Sequence, residues 1–140
     1  MRNPFDATDV ENRFQAVKNM LLDMDLKIVS EDEKNEILVV EDEEYGIKNM
    51  VIDCEDTLLV IEQVIMPVPK NPGDLFEKLL KMNRTLVHGA FVLDEEGKTV
   101  IFRDTLQLEN LDPNELYASI EALSLALAEH GTELLRYAKS

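Results

Sequence analysis

The apolar residues near the N-terminus repeat at the spacing of a helix. They recur at steps of four and three residues, at Val10, Phe14, Val17, Leu21 and Met24. This spacing predicts an amphipathic helix with one buried stripe. Thr8, followed three residues later by Glu11, forms the capping-box pattern that predicts where this helix begins.

From residue 27 onward the apolar positions alternate, and Ile, Val and Leu become frequent, which is typical of strands. The pattern predicts four strands, at residues 27–30, 36–41, 47–54 and 58–66. Their connections are short and polar, so neighbouring strands must be antiparallel. The last of these strands is apolar on both faces, which predicts that the core covers one face and that a subunit or partner covers the other.

A second helix is predicted by the turn signals of residues 71–74. Asn71 is the expected cap, Pro72 the first helical residue, and Asn83 the last. Its apolar residues cover more than one side, so we expect it to take part in a homodimer interface. The residues predicted for that interface, from this helix and from the strand before it, are Leu75, Phe76, Leu79, Leu80, Val60 and Val64.

A hairpin and a third helix complete the predicted fold. Residues 89–93 and 98–108 alternate on either side of the turn at residues 94–97, which predicts two antiparallel strands. Asp112 and Pro113 repeat the cap-and-proline signal and open a long helix, in which Gly131 predicts a kink or an end. The order α-β-β-β-β-α-β-β-α predicts one α+β domain over residues 1–140, with three helices against a single antiparallel sheet.

Charge narrows the range of partners. Acidic residues outnumber basic ones by 29 to 14, which gives a formal net charge of −15. Because such a surface repels phosphate, neither nucleic acid nor an anionic membrane is expected as a partner. The acids concentrate in residues 31–36 and 41–44, on either side of an apolar run. This arrangement predicts solvated turns around a buried strand, with an acidic docking face for a basic partner segment as the alternative.

The sequence also bears on the compartment. It has no apolar run long enough to span a membrane, and its first residues lack the apolar stretch of a signal peptide. A single cysteine, Cys54, excludes a disulfide within the chain. Together these features predict a cytoplasmic protein.

Few residues could support catalysis. The candidates for a nucleophile and a base are Cys54 and His88, with Asp53 or Asp104 to orient the histidine. Cys54 shares the apolar phase of its strand, where a small buried hydrophobe is expected. Two distant histidines and one cysteine give no zinc spacing, and no phosphate-binding or dinucleotide motif is present. The sequence therefore predicts no catalytic residue, no metal and no cofactor.

Three polar residues of the C-terminal half have predicted surroundings. Arg103 and Asp104 are adjacent in a strand and must point to opposite faces. Arg103 is expected to pair across the exposed face, whereas Asp104, on the apolar face, needs Arg84 or a backbone N–H as a partner. His130, next to Glu129, is expected to be partly exposed.

Three segments carry a resemblance to known families: residues 79–83 (LLKMN), 89–97 (GAFVLDEEG) and 105–116 (TLQLENLDPNEL). They resemble the YbjN family and, more loosely, the class I chaperones of type III secretion, the Tir-chaperone group. The order of elements is similar over nearly the whole chain. The resemblance implies a type III secretion chaperone-like fold and a small acidic cytoplasmic protein, usually a homodimer, that binds other polypeptides and catalyses nothing. YbjN-type proteins are also described as sensory-transduction regulators.

Two functions of different kinds remain open. The first is a chaperone-like or regulatory module, in which an exposed sheet face and the first helix hold a segment of a client protein. The client contacts predicted for it are Phe14, Val17, Leu59 and Ile61. The second is a small-molecule sensor, with a pocket between the sheet and the C-terminal helix lined by Phe91, Phe102 and Leu123. Clear folding signals without a catalytic residue favour a binding protein of either kind. The resemblance to the chaperone families favours the first.

Overall fold

The computed structural model describes residues 10–139, with side chains described from Arg13 to Lys139. Helix α1 (Val10–Asp23) is followed by the strands β1 (Lys27–Asp32), β2 (Ile37–Asp42), β3 (Ile47–Glu55) and β4 (Leu58–Pro67). The later elements are α2 (Leu75–Asn83), β5 (Ala90–Leu93), β6 (Thr99–Gln107) and α3 (Pro113–Ala138). A short 3₁₀ turn, Glu43–Tyr45, joins β2 to β3. This order is the predicted one; the expected Thr8 cap lies outside the described residues.

The strands form one six-stranded sheet in the order β1-β2-β3-β4-β6-β5, and all neighbouring strands are antiparallel. The first four strands are consecutive neighbours, because their connections are too short for a parallel crossover. β6 then pairs with β4, which places β5 at the edge of the sheet. The predicted α+β class, a single antiparallel sheet with three helices, is confirmed.

The helices cover one face of this sheet. Leu38, Ile52, Ile61 and Phe102 point to that face from four different strands, and each is at most 1% exposed. All three helices contribute apolar residues to the same core. Burial of apolar area stabilises the arrangement by roughly 25 cal/mol per Å². On the opposite face, Val64 is 64% exposed, so the sheet is partly open to solvent there.

Helix α2 begins later than predicted. Its N-cap is Asp74 rather than Asn71, and its first residue is Leu75 rather than Pro72. Gly73 adopts a left-handed φ of 58°, and the Leu75 N–H donates to the Pro72 carbonyl at 3.0 Å. Residues 72–75 therefore form a tight turn that precedes the helix, which is the other common use of proline followed by glycine.

The last residue of α2 closes one edge of the sheet. Asn83 ends the helix, as predicted. Its side-chain oxygen accepts a hydrogen bond from the Phe91 N–H at 2.7 Å, and its amide nitrogen donates to the Phe91 carbonyl at 3.0 Å. Phe91 lies on β5, whose other side pairs with β6. Because its outward backbone groups are occupied, β5 cannot accept a further strand at this residue.

Helix α3 has the predicted start and does not end at Gly131. The Asp112 carboxylate accepts a hydrogen bond from the Asn114 N–H at 2.7 Å, and the Glu115 carboxylate accepts one from the Asp112 N–H at 3.2 Å. These two bonds form the capping box of the helix. The helix continues through Gly131 to Ala138, so the expected end at this glycine is wrong. Tertiary packing outweighs the low helix propensity of one glycine.

The end of α3 is tied to the start of α2 by a hydrogen bond. The Tyr137 hydroxyl donates to the Asp74 carboxylate at 2.5 Å. This bond is the main reason that the pKa of Asp74 falls below its usual 3.8 and that the pKa of Tyr137 rises from 10.0 to about 12. Because the pKa of Asp74 is lower in the folded state, its ionised carboxylate stabilises the fold above about pH 4. This contribution is lost as the pH falls through the folded-state pKa of Asp74. Because the pKa of Tyr137 is higher in the folded state, its protonated hydroxyl stabilises the fold below about pH 10. This contribution is lost as the pH rises through about 12.

We expect Tyr137→Phe to reduce the free energy of unfolding by a similar amount at all pH values between about 5 and 9. The difference from the wild type should shrink at more acidic pH, as Asp74 becomes protonated, and again toward about pH 12. Urea denaturation over this pH range measures it. Tyr117→Phe, on the exposed side of the same helix, is the matched control. A destabilisation by Tyr137→Phe that persists unchanged in acid would contradict the role of the Asp74 carboxylate.

Candidate protein-binding surface

The four residues predicted to contact a client lie in the hydrophobic core. Phe14 is 6% exposed, Val17 is 1% exposed, and Leu59 and Ile61 are fully buried. The first two belong to the stripe of α1 that packs on the sheet, and the other two point from β4 toward the helices. A client cannot reach these side chains while the fold is intact, which corrects the predicted set of contacts.

The residues predicted for a dimer interface divide into two groups. Three are packed within the chain: Leu75 (0% exposed), Leu79 (4%) and Val60 (5%). Three are exposed: Phe76 (39%), Leu80 (73%) and Val64 (64%). Phe76 and Leu80 lie on the outer side of α2, whereas Val64 lies on the sheet face that the helices leave open. The exposed three therefore do not share one surface. Leu75 and Leu79 are corrected to core residues, whereas Val60 is buried on the sheet face opposite the helices.

The pocket predicted between the sheet and the C-terminal helix is filled. Phe91, Phe102 and Leu123 are 3%, 0% and 0% exposed and belong to the core. The rings of Phe91 and Phe102 meet edge to face, with centroids 6.0 Å apart. Such packing stabilises the core and leaves these residues as structural ones.

A groove of about 1000 Å³ lies where the α1–β1 connection, the β2–β3 connection and α3 meet. Its residues define what we call the α3 groove: Met24, Asp25, Leu26, Lys27, Glu41, Asp42, Glu43, Glu44, Tyr45, Ile47, Tyr117, Ile120, Glu121, Ser124 and Leu125. Leu26, Ile47 and Ile120 are buried and form an apolar floor. Tyr45, Tyr117 and Leu125 remain 55%, 53% and 62% exposed, so large apolar side chains are accessible from solvent here.

The rim of the α3 groove is acidic. It carries the carboxylates of Asp25, Glu41, Asp42, Glu43, Glu44 and Glu121. Lys27 is the basic residue of the lining, and its Nζ lies 3.7 Å from the Glu41 carboxylate. Of the two acidic segments that predicted either solvated turns or a docking face, residues 41–44 thus lie beside exposed apolar side chains. An apolar centre within a polar rim is the usual composition of a protein-binding surface.

The sequence pattern did not predict the apolar residues of this groove. Tyr117, Glu121 and Leu125 recur at steps of four residues, on a stripe of α3 beside the buried one. The signal in the sequence for this surface was a tyrosine and a leucine on a second stripe of the helix, outside the buried one. Their meeting with Tyr45 and Leu26 depends on three separate segments, which no spacing within one helix can reveal.

Arg13 anchors α1 to the turns at one end of the sheet. Its guanidinium donates to both oxygens of the Glu36 carboxylate, at 2.7 and 2.6 Å, and to the Asp56 carbonyl at 2.5 Å. The side chains of Arg13 and Glu36 are 9% and 16% exposed. The hydrogen bonds that Arg13 donates to Glu36 are the main cause that raises the pKa of Arg13, so the guanidinium stays charged. This anchor fixes the helix whose following connection forms one wall of the α3 groove.

Cys54 and His88 do not form a catalytic pair. Cys54 is 5% exposed on β3, and burial raises the pKa of its thiol to about 12. A thiol with this pKa is protonated at neutral pH and is a poor nucleophile. His88 precedes β5, which is separated from β3 by three strand spacings, about 14 Å. The candidate base therefore lies far beyond hydrogen-bond reach of the thiol.

Thr85 and His130 form a hydrogen-bonded pair. The Thr85 Oγ1 lies 2.8 Å from the His130 Nε2 and also donates to the Met82 carbonyl at 2.8 Å. Since a hydroxyl has one hydrogen, Thr85 can donate to only one of these two partners at a time. The His130 side chain is only 11% exposed, and the pair ties α3 to the end of α2.

The remaining polar predictions have clear outcomes. The Arg103 Nε lies 3.8 Å from the Glu62 carboxylate on β4, so the predicted cross-strand pairing is confirmed. Asp104 accepts a hydrogen bond from the Ser119 hydroxyl at 2.6 Å and another from the Thr105 N–H at 2.9 Å. The expected backbone partner of Asp104 is therefore present, and its side-chain partner is Ser119 on α3 rather than Arg84.

The described part of the chain has neither a metal-binding cluster nor a membrane-spanning helix. Within it, no three His, Cys, Asp or Glu side chains gather in a way that could hold a metal ion. None of the helices between residues 10 and 139 is long and apolar enough to cross a membrane. Large apolar side chains are exposed in the α3 groove and on the outer side of α2.

The fold belongs to the type III secretion chaperone-like class of α+β proteins, with one antiparallel sheet and three helices. Residues 10–140 match the family CesT_Tir_1, and the chain belongs to this family. The resemblance to the YbjN and Tir-chaperone families is thereby confirmed.

Solved structures show the same fold at low sequence identity. The crystal structure of YbjN from E. coli is similar with a TM-score of 0.66 and 13% identity, over 86% of this chain and 92% of that chain. A chain of the HopA1–SchA chaperone–effector complex is similar with a TM-score of 0.61 and 14% identity, over 86% of this chain and 95% of that chain. No match is found among curated protein sequences.

Proposed function

We propose that this protein binds other polypeptides, as a chaperone-like or regulatory protein of the cytoplasm, and that it catalyses no reaction. The observation that carries the proposal is the α3 groove, in which Tyr45, Tyr117 and Leu125 are each more than half exposed. An isolated exposed leucine is normal for a soluble domain, but several large apolar side chains gathered in one concave surface indicate a binding site.

Two further observations support a polypeptide ligand. The chain belongs to the family CesT_Tir_1, and a structural neighbour is a chain of a chaperone–effector complex. The candidate nucleophile Cys54 is buried, and burial raises the pKa of its thiol to about 12, so it is a poor nucleophile. A reduced cysteine is also the usual state in the cytoplasm.

Photo-crosslinking tests the proposed function on the chain of 140 residues. A benzophenone amino acid is placed at Leu125 in one variant and at Leu58, on the open sheet face, in another. Affinity purification from a lysate of the source cells, followed by mass spectrometry and a peptide array of the recovered sequences, identifies any ligand and its segment. We expect one or a few polypeptides to crosslink reproducibly at Leu125 and to bind again as synthetic segments. If neither position yields a crosslinked polypeptide ligand, the proposed function is wrong.

The proposal includes a homodimer formed through the outer side of α2. Phe76 and Leu80 are 39% and 73% exposed and lie one turn apart on this helix, so they face the same way. The remaining apolar residues of α2, Leu75, Leu79 and Met82, face the core. An amphipathic helix with a second apolar side is stabilised when a partner covers that side.

In light scattering we expect the wild-type protein to have twice the mass of one chain, which is 16.0 kDa. Leu80→Asp should weaken dimerisation at least tenfold, because it buries a charge in the interface. Val64→Asp is the matched control, since Val64 is similarly exposed but lies on the open sheet face. A wild-type mass of 16.0 kDa at micromolar concentration would contradict the dimer. Dissociation by Val64→Asp alone would instead place the interface on the sheet.

A further inference from the structure

We infer that the α3 groove binds a short amphipathic helix whose flanks carry lysine or arginine side chains. This inference rests on the proposed function, since it names the class of polypeptide that the groove takes. It differs from a general affinity for unfolded chains, because it requires one secondary structure and one sign of charge in the ligand.

The size of the groove fits about two turns of helix. Its wall along α3 extends from Tyr117 to Leu125, which is about 12 Å at 1.5 Å per residue. A helix about 10 Å wide and 12 Å long has a volume of about 900 Å³. The groove volume of about 1000 Å³ is close to this value. Apolar side chains at positions i, i+3, i+4 and i+7 of the ligand would then face the groove.

The shape of the floor favours apolar anchors in the ligand. Leu26, Ile47 and Ile120 are at most 6% exposed and provide a surface without charge. Tyr45, Tyr117 and Leu125 stand at the sides with more than half of their area in contact with solvent. Covering these three side chains removes apolar area from water, which is the main favourable contribution to such binding.

The rim selects the charge of the ligand. Six carboxylates and one ammonium group line the groove, and that ammonium, on Lys27, already has Glu41 as a neighbour. A ligand with lysine or arginine on its flanks would pair with the free carboxylates, whereas an acidic ligand would be repelled. In a symmetric pair of grooves the six carboxylates of one rim would face the six of the other copy, which opposes a second copy of this chain at this place. The occupant is therefore a different protein with a basic amphipathic segment.

Fluorescence anisotropy with three synthetic peptides of roughly 14 residues tests this inference. The first has a leucine face with lysine and arginine flanks. The second has the same leucine face with glutamate flanks, and the third is a scrambled form of the first that has no apolar face. We expect the wild-type protein to bind the first peptide at least tenfold more tightly than either of the others. Equal binding of the first and third peptides would overturn the inference, because it would show charge attraction alone.

Two variants locate the binding. Leu125→Asp removes an apolar contact, and the double variant Glu44→Lys/Glu121→Lys reverses charge at the rim; each should weaken binding of the first peptide at least tenfold. The control Glu95→Lys/Glu96→Lys makes the same change in net charge on the exposed β5–β6 turn, outside the groove. Its effect should be less than threefold. Equal weakening by the two double variants would overturn the assignment to the groove.

The crosslinking experiment separates this inference from the proposed function. If polypeptides are recovered at Leu58 but not at Leu125, the protein binds clients elsewhere, so the groove assignment fails and the proposed function stands. If the basic peptide binds in the groove while no client is recovered, the assignment stands and the proposed function fails.

Discussion

Arg13→Met is expected to reduce the free energy of unfolding by about 3 kcal/mol, because it leaves the Glu36 carboxylate in a mostly buried position without its charged partner. Methionine retains much of the apolar stem, so the loss reports mainly on the ion pair and on the bond to the Asp56 carbonyl. Glu36 also has a left-handed φ of 58°, which costs energy in a residue other than glycine and which the ion pair helps to maintain. Urea denaturation with a two-state fit measures the change.

A matched control lies on the same helix. Lys18 pairs with Glu31 at 2.9 Å, but the two side chains are 25% and 45% exposed. Lys18→Met should therefore cost less than about 1 kcal/mol. The double variant Arg13→Met/Glu36→Gln should recover part of the loss, because it removes the unpaired charge. If Arg13→Met costs no more than Lys18→Met, the anchor between α1 and the sheet is not a major source of stability.

Gly89→Ala is expected to destabilise the protein by about 2–4 kcal/mol, for two reasons that add. Gly89 has a φ of 74°, a left-handed conformation that alanine adopts only at a cost. A Cβ atom at this position would also overlap the ring of Phe102, which is fully buried and cannot move aside freely. Denaturation experiments again measure the effect, with circular dichroism to establish that the variant is folded.

Gly97→Ala separates the two causes. Gly97 has a similar φ of 72°, but a Cβ atom there would meet nothing within 4 Å. This variant should cost only about 1–2 kcal/mol, from the backbone conformation alone. The excess cost at Gly89 then measures the overlap with Phe102. Equal costs at the two glycines would show that the Phe102 ring adjusts without penalty.

The prediction of the client-binding residues was wrong for a specific reason. Alternation along β4 correctly grouped Leu59 with Ile61 on one face, and the helical spacing of α1 correctly grouped Phe14 with Val17. Neither pattern states what covers that face. The helices pack against it within the same chain, so the most regular apolar rows became core rather than binding surface.

The start of α2 shows a similar limit on a smaller scale. Pro72 is compatible with the first position of a helix and with the first position of a turn. The local sequence does not decide between them. In the folded chain Asp74 accepts the Tyr137 hydroxyl from the far end of α3, and the Leu75 N–H closes the turn on Pro72. The helix therefore begins only at Leu75.

The sequence by itself determined the element types, their order and the antiparallel pairing of consecutive strands, because periodicity, caps and short connections act over a few residues. It also determined the net charge and showed few residues that could support catalysis. The tertiary structure alone decided which apolar rows are buried and that Tyr45, Tyr117 and Leu125 meet beside one acidic rim. Such a surface depends on contacts between segments far apart in the chain, and these contacts exist only once the core has packed.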